Sequence, residues 1–313
     1  MKQRSYNRDF SQMKAPPLVT AEVFRIAPEV AVALPEPEPR MKPGALKLER
    51  LTPTQTEILK DCLVAGFEKA HEQEMSPDKI RLEIFQRTPR PEPDIGIGIQ
   101  AGNHVIQLAV NPDKISTPKF QETLKRLIPH ECNHIMRANH LGIPVNTVGD
   151  SIISEGFALK AEILAGFPPA DYNRPSSVEA FAAYIEKVLP ALNTPRDDAG
   201  KAYNYWLFGM QAEGDKPNEA FGGYPLGHAI VASYLDAGHS MSDAMRTPND
   251  KIFNHWKSEL AQDGKITPQS IYAWAKKNIH WVDPSTSAGY SAPTRSARHS
   301  ASAQIQPQHL RWE

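Results

Sequence analysis

Two histidines and a glutamate within residues 130–134 have the types and the spacing for metal-assisted hydrolysis. The sequence there is H-E-C-N-H, so that His130 and His134 lie four residues apart and Glu131 follows the first. On an α-helix, residues four apart share a face, and two imidazole rings on one face can bind the same Zn²⁺ ion. Glu131 then lies one position round the helix, where its carboxylate can act as general base towards water at the metal.

A third ligand is needed, and Glu155 has a suitable position. A catalytic zinc site uses three protein ligands and keeps one position open for water, and two histidines with one glutamate are a known set. Twenty residues separate His134 from Glu155, which lies among apolar residues in the segment S-I-I-S-E-G-F-A. A carboxylate on the buried side of a helix needs a partner, and a metal ion is a sufficient one. We predict that Glu155 completes the site; the alternative is a solvated glutamate on an amphipathic helix.

The segment G-G-Y-P-L-G-H at residues 222–228 offers two donors for the transition state. Hydrolysis at a metal gains from a hydrogen-bond donor that stabilises the oxyanion of the tetrahedral intermediate. Tyr224 and His228 are the two candidates. We predict a loop that carries one of them and a following helix whose start carries the other. The alternative is that both side chains only pack.

The histidines must be held by a helix, which the pattern of residues 120–139 predicts. Pro129 within it predicts a bend, or a break one turn earlier. A loop over residues 141–148 contains a glycine and a proline, which end a helix and let a second helix return antiparallel with Glu155. Asp150 is predicted either to cap this second helix or to accept a hydrogen bond from a ligand histidine.

The segments before the metal motif predict a small sheet behind a first helix. Thr52 and Gln55 form a capping box at the start of that helix. Alternating apolar residues predict strands at 80–86, 95–99 and 104–110, the last two as a hairpin. Further helices are predicted at 229–236, 250–260 and 268–278. The fold class is therefore α+β, with a small antiparallel or mixed sheet followed by a mostly helical C-terminal part.

Three segments together resemble a known family. They are I-P-H-E-C-N-H-I-M-R at residues 128–137, I-I-S-E-G-F-A at 152–158 and G-Y-P-L-G-H-A-I-V at 223–231. The first two resemble the glutamate-zincin metallopeptidases. All three, over about residues 82–235, resemble the predicted zinc-dependent protease family called domain of unknown function 2268.

This resemblance implies a zincin-like metallopeptidase domain in which the glutamate before Gly-Phe-Ala, Glu155, is the third zinc ligand. It ranks Tyr224 before His228 as oxyanion stabiliser, because Tyr224 falls at a recurrent Gly-Tyr whereas His228 replaces what is often an aromatic residue. In zincin proteases an edge strand just before the metal helix pairs with the peptide substrate. The strand at 95–99 or the one at 104–110 is expected to have that role; the alternative is an ordinary edge strand.

Composition narrows the classes of partner and compartment. The formal net charge of −1 gives no electrostatic reason to expect nucleic acid or an anionic membrane as partner. Two cysteines cannot form a disulfide framework, and no apolar run approaches the length of a membrane span. The N-terminus lacks the apolar region of a secretory signal. We expect a cytoplasmic protein, or one exported without a secretory signal peptide.

The chain is predicted to contain one catalytic domain over residues 47–282. Prolines crowd residues 1–46, which we interpret as a disordered leader or as an export signal, and residues 283–313 are predicted to be a disordered tail.

The predicted function is zinc-dependent hydrolysis of peptide bonds in a peptide or protein substrate. One alternative is a non-catalytic zinc-binding interaction protein, whose site a fourth protein ligand such as His228 would close. Others are an exported effector that cleaves one narrow target, or hydrolysis of a non-peptide amide at the same site. The sequence leaves the substrate and the oligomeric state open.

Overall fold

The protein is described here from a computed structural model. The structure describes residues 51–73, 80–86, 95–102, 104–168, 175–196, 205–207 and 222–281. The predicted leader at 1–46 and the predicted tail at 283–313 lie outside these residues, and the domain boundaries therefore stay a prediction.

Within the described ranges the chain is mostly helical and has one small sheet. The helices are α1 (Pro53–Glu72), α2 (Pro118–Ile135), α3 (Val148–Leu164), α4 (Val178–Val188), α5 (Gly223–Asp236), α6 (Met241–Arg246), α7 (Asn249–Leu260) and α8 (Pro268–Asn278). The strands are β1 (Arg81–Gln86), β2 (Ile97–Gly102) and β3 (Val105–Val110). A π-helix, Met136–His140, follows α2 directly. This agrees with the predicted α+β class.

N-cap residues determine where α1 and α2, the helix that carries the metal motif, begin. The Thr52 side chain accepts from the Gln55 amide at 3.2 Å, and the Gln55 side chain accepts from the Thr52 amide at 2.8 Å. This confirms the predicted capping box of α1. Thr117 is the N-cap of α2, and its side chain accepts from the amide of Phe120 at 3.3 Å.

The sheet is mixed, and its strand order is β1-β3-β2. β3 lies in the centre, parallel to β1 and antiparallel to β2, with Ile99 opposite Leu108. Among the described strands, β3 is bonded on both sides, so that β2 is the strand of the hairpin that has an outer edge.

Two separate apolar clusters form the interior. The first joins α1, the sheet and α2, and includes Phe67, Leu108 and Ile128. The second joins α3 with α4 to α8, and includes Phe157 and Trp256. The boundary between the two clusters runs between α2 and α3. The polar side chains described below lie at this boundary.

Pro129 lies inside α2, and the helix continues through it. The predicted break one turn earlier is therefore wrong. Proline lacks an amide hydrogen, which deprives the carbonyl of Lys125 of its usual partner four residues on. Gly66 of α1 lies against this turn: a Cβ added to Gly66 would fall 3.1 Å from the Lys125 carbonyl oxygen and 2.7 Å from Cβ of Ile128. Close packing of α1 thus covers the turn that the proline weakens.

Two glycines bring α3 and α5 into backbone contact. A Cβ added to Gly156 would lie 2.2 Å from the carbonyl oxygen of Gly227, and one added to Gly227 would lie 2.0 Å from that of Ile152. No side chain larger than hydrogen fits at this crossing. The crossing also explains why the predicted loop before residue 229 is wrong: α5 begins at Gly223, and both Tyr224 and His228 are helical.

We expect Gly156→Ala to lower the free energy of unfolding by about 1–3 kcal/mol or more, since the new methyl group meets a backbone carbonyl that cannot rotate away. Urea denaturation of both proteins measures the difference. Gly102→Ala is the matched control, because a Cβ there would meet nothing within 4 Å. An equal small change in both variants would contradict the close helix crossing.

In the part of the chain that the structure describes, no helix has the length and apolar character needed to cross a membrane.

Candidate metal centre

The two motif histidines lie on the face of α2 that is turned towards α3. His130 is buried, His134 is half-buried, and their ring centroids are 4.9 Å apart. The spacing of four residues brings the rings to one face, as the sequence predicts. The motif lies in the last two turns of α2, just before the π-helix.

Glu155 of α3 completes the cluster. Its Oε2 atom lies 3.1 Å from Nε2 of His130 and 3.5 Å from Nε2 of His134. One ligand atom from each of the three residues lies within 4.8 Å of the others. Among the described residues, no other group of three histidines, cysteines or carboxylates converges in this way. The three residues that the sequence predicts as a metal site are thus brought together.

The second nitrogen of each ring is occupied by a residue of α3. Nδ1 of His130 is 2.7 Å from Oε1 of Glu162, and Nδ1 of His134 is 2.9 Å from Oγ of Ser154. Both Nε2 atoms therefore face Glu155. Contacts of this kind orient metal-binding histidines in many proteins.

Glu162 did not figure in the sequence predictions, although a signal was present. It lies seven residues after Glu155, so that both carboxylates share one face of α3. Its second oxygen is 3.3 Å from Nε of Arg126, which lies one turn before His130 on α2. The contacts run from Arg126 to Glu162 and from His134 to Ser154, which means that α2 and α3 are antiparallel, as predicted.

The charges at this boundary fit a divalent cation. Glu131, Glu155 and Glu162 are all buried, and Arg126 supplies one positive charge. Three buried carboxylates thus lie near one guanidinium, and buried charges are stable only when paired. Two nitrogen donors and one carboxylate oxygen suit Zn²⁺.

The pKa values of the cluster show the effect of these negative charges. Burial by itself lowers the pKa of His130, but its hydrogen bonds with Glu155 and Glu162 and the charges of both carboxylates hold that pKa well above the ordinary value. Burial by itself raises the pKa of Glu155, but the charge of His134 and the hydrogen bonds from both rings hold it far below the ordinary value. The carboxylates thus draw positive charge to the place where the three ligand atoms meet.

Glu131 is buried beside His130 and does not belong to the converging group. Burial raises the pKa of Glu131, and the charges of His130 and His134 offset part of the rise. A carboxyl group whose pKa is raised by burial takes up a proton more readily than an exposed one.

Tyr224 and His228 lie on α5, which packs against α3 at Gly227, next to His228 in the chain. Tyr224 is buried in the second apolar cluster. His228 is fully buried, and neither of its ring nitrogens has a hydrogen-bond partner among the described residues. Burial, and then the charge of Lys160, lower the pKa of His228 to about 3, so that the ring is neutral.

Asp150 caps α3 and does not contact a ligand histidine. Its carboxylate accepts from the amides of Asn146 and Thr147 and from the side chain of Asn249, at 2.9–3.1 Å. Of the two predicted roles, the structure supports the cap.

The end of the metal helix is fixed by Arg137 of the π-helix. This buried guanidinium donates to the carbonyls of Ala244 and Met245 and to the side chain of Asn249. Its Cζ atom also lies 3.9 Å from the ring centroid of Phe157 on α3. The turn after the motif is therefore anchored to both α3 and α6. Single π-turns of this kind are frequent at functional sites.

The fold and the cluster define an α+β protein with a His-His-Glu group suited to a divalent metal between two antiparallel helices. The chain belongs to the family of predicted Zn-dependent proteases, domain of unknown function 2268, whose family model matches residues 93–254, just over half of the chain. The matched segment runs from just before β2 into α7 and includes the whole cluster. No curated protein and no solved structure matches the chain.

Proposed function

We propose that the protein is a zinc-dependent metallopeptidase of the zincin type, with His130, His134 and Glu155 as zinc ligands. The observation that carries this proposal is the convergence of the two Nε2 atoms and the Glu155 carboxylate beside Glu131. The family supports the same metal and the same class of reaction.

The number of ligands favours hydrolysis over a structural role. Structural zinc sites are closed by four protein ligands, whereas catalytic sites use three and leave a position for water. Among the described residues, the converging group has three members. A non-catalytic binding protein is the alternative that this observation argues against.

Zinc at such a site supplies Lewis acidity, which lowers the pKa of water and polarises a carbonyl group. Glu131 takes the proton from the attacking water and returns it to the leaving amine. Its burial favours this exchange because a buried carboxyl group accepts a proton more readily than an exposed one. Glu155 holds negative charge and serves only as a ligand.

The oxyanion of the tetrahedral intermediate needs a donor, for which we propose Tyr224 first and His228 second. A phenol can donate one hydrogen bond, and the neutral imidazole of His228 also carries one N–H. The backbone contact of Gly227 with Gly156, the neighbour of Glu155, brings α5 against the helix that carries the third proposed ligand. Tyr224→Phe and His228→Phe separate them, since each removes the donor and keeps a ring.

The peptide substrate is proposed to add to the outer edge of β2. This strand packs against α2, the helix that carries both histidines. The Asn111 amide donates to the Gly96 carbonyl, and along an antiparallel pair of strands hydrogen-bonded and non-hydrogen-bonded residue pairs alternate. Counting from Gly96, Ile99 and Ala101 are in non-hydrogen-bonded pairs, so that their backbone N–H and C=O groups point away from β3. An extended peptide can pair with such groups.

Zinc content and proteolysis, measured together, test the proposed function. We expect about one zinc per chain in the purified protein, together with cleavage of unstructured casein. His134→Ala should lose both, because a two-ligand site no longer holds the metal. His239→Ala, a histidine outside the cluster, is the control and should keep both. A wild-type protein that takes up no zinc would overturn the proposal.

A further inference from the structure

We propose that Arg126 and Glu162 are positioning residues that hold His130 in the one orientation and tautomer that can bind zinc. The inference rests on the metal site of the proposed function and goes beyond its ligands. Neither residue offers an atom to the converging group, and both act through His130.

The two oxygens of Glu162 have separate partners. Oε1 is 2.7 Å from Nδ1 of His130, and Oε2 is 3.3 Å from Nε of Arg126. The Glu162 side chain is 1% exposed, so that water cannot replace either contact. The contact with Arg126 is an ion pair rather than a hydrogen bond, and together with the short contact to Nδ1 it holds the Glu162 carboxylate against the His130 ring.

The chemistry of the acceptor determines which nitrogen of His130 carries the proton. An ionised carboxylate only accepts hydrogen bonds, so that Nδ1 of His130 donates to Glu162. By the same rule Nε2 donates to Glu155 as long as no metal is bound, and zinc would take the place of that proton. Because Glu162 holds the hydrogen on Nδ1, Nε2 is the nitrogen that is left for a metal.

The Nδ1 atom of His134 contacts a hydroxyl group instead of a carboxylate. The inference therefore concerns His130 and not His134. The hydroxyl is that of Ser154 and can donate or accept equally well. Ser154 therefore supports the position of the ring without selecting its tautomer. If the α3 contacts only held the helices together, Glu162 and Ser154 would have comparable effects on metal affinity.

Arg126 lies one turn from His130 on the same face of α2, so that one helix supplies both partners of Glu162. The Glu162 carboxylate therefore lies between two partners on the same helix.

The test is the zinc dissociation constant, measured by competition with a chromogenic chelator. Glu162→Ala is expected to weaken zinc binding about 10–100-fold, the range found when such partners of ligand histidines are removed. Glu162→Gln, which keeps an accepting oxygen, should recover part of the loss. Arg126→Met should weaken binding less than Glu162→Ala, and the double variant should add little to Glu162→Ala, since the proposed effect of Arg126 on the metal passes through Glu162.

Two controls separate positioning from general damage. Ser154→Ala should weaken zinc binding less than Glu162→Ala does. Glu259→Gln removes a carboxylate that accepts from Ser233 and Trp274 outside the cluster, and should leave the zinc constant unchanged. Circular dichroism identifies a temperature at which each variant is folded. If Glu162→Ala is not folded at any temperature tested, Glu162→Gln takes its place. The inference then requires that Glu162→Gln bind zinc more weakly than wild type.

The outcomes distinguish this inference from the proposed function. A folded Glu162→Ala that binds zinc as tightly as wild type overturns the positioning role and leaves the metallopeptidase proposal intact. Equal losses in Glu162→Ala and Ser154→Ala overturn the selection of a tautomer. A wild-type protein without zinc affinity refutes the proposed function itself, and the inference with it.

Discussion

Glu131→Gln is expected to abolish peptide hydrolysis and to leave zinc binding intact. Glutamine has the shape of glutamate, but its amide cannot take a proton from water. Loss of a general base costs about 10²–10⁴-fold in rate. Since Glu131 is not one of the three converging residues, the metal content should remain near one per chain.

The measurement is kcat/KM on a peptide substrate, with zinc quantified in the same samples. Glu122→Gln is the matched control, because Glu122 lies on the exposed side of the same helix. Full activity of Glu131→Gln would remove Glu131 from the mechanism. Loss of both zinc and activity would instead assign Glu131 a role in binding the metal.

Glu155→Ala is expected to weaken zinc binding by more than the roughly 10–100-fold that partners behind the ligands contribute. The substitution removes the only carboxylate oxygen of the group and leaves two imidazoles. It also removes the charge that lies 3.1 Å from Nε2 of His130 and 3.5 Å from Nε2 of His134. Proteolysis should be lost together with the metal.

Chelator competition gives the zinc constant, and a high zinc concentration in the assay provides a second check. Glu186→Ala, an exposed glutamate on α4, controls for loss of a charge. Unchanged zinc affinity in Glu155→Ala would remove Glu155 from the ligand set. It would then be a simple hydrogen-bond partner of the two histidines.

The sequence predicted the parts of the fold that depend on neighbouring residues. The capping box of Thr52 and Gln55 involves contacts three residues apart, and α1 begins where these residues place it. The convergence of His130, His134 and Glu155 was also predictable. Two of these residues share a helix face by spacing alone, and the third lies on the next helix, which a short loop returns antiparallel.

Features that depend on contacts between distant segments were not predictable in the same way. Gly223 and Gly227 are poor helix formers and suggested a loop, but α5 includes both because it packs closely on its neighbours. Pro129 suggested a bend or a break, but α2 continues through it, and packing of α1 at Gly66 covers the affected turn. Glu162 was missed because a lone glutamate in a helix is usually exposed. Its partners Arg126 and His130 are distant in sequence.

The boundary between the two apolar clusters has a consequence for how the protein unfolds. α2 belongs to one cluster and α3 to the other, and the contacts between them include those of Arg126 and His130 with Glu162 and of His134 with Ser154 and Glu155. A cation that binds only when both helices are in place contributes its binding free energy to both cores at once. A bound metal would therefore couple the two apolar clusters in one cooperative unfolding transition, and without it the buried carboxylates would weaken the contact between α2 and α3.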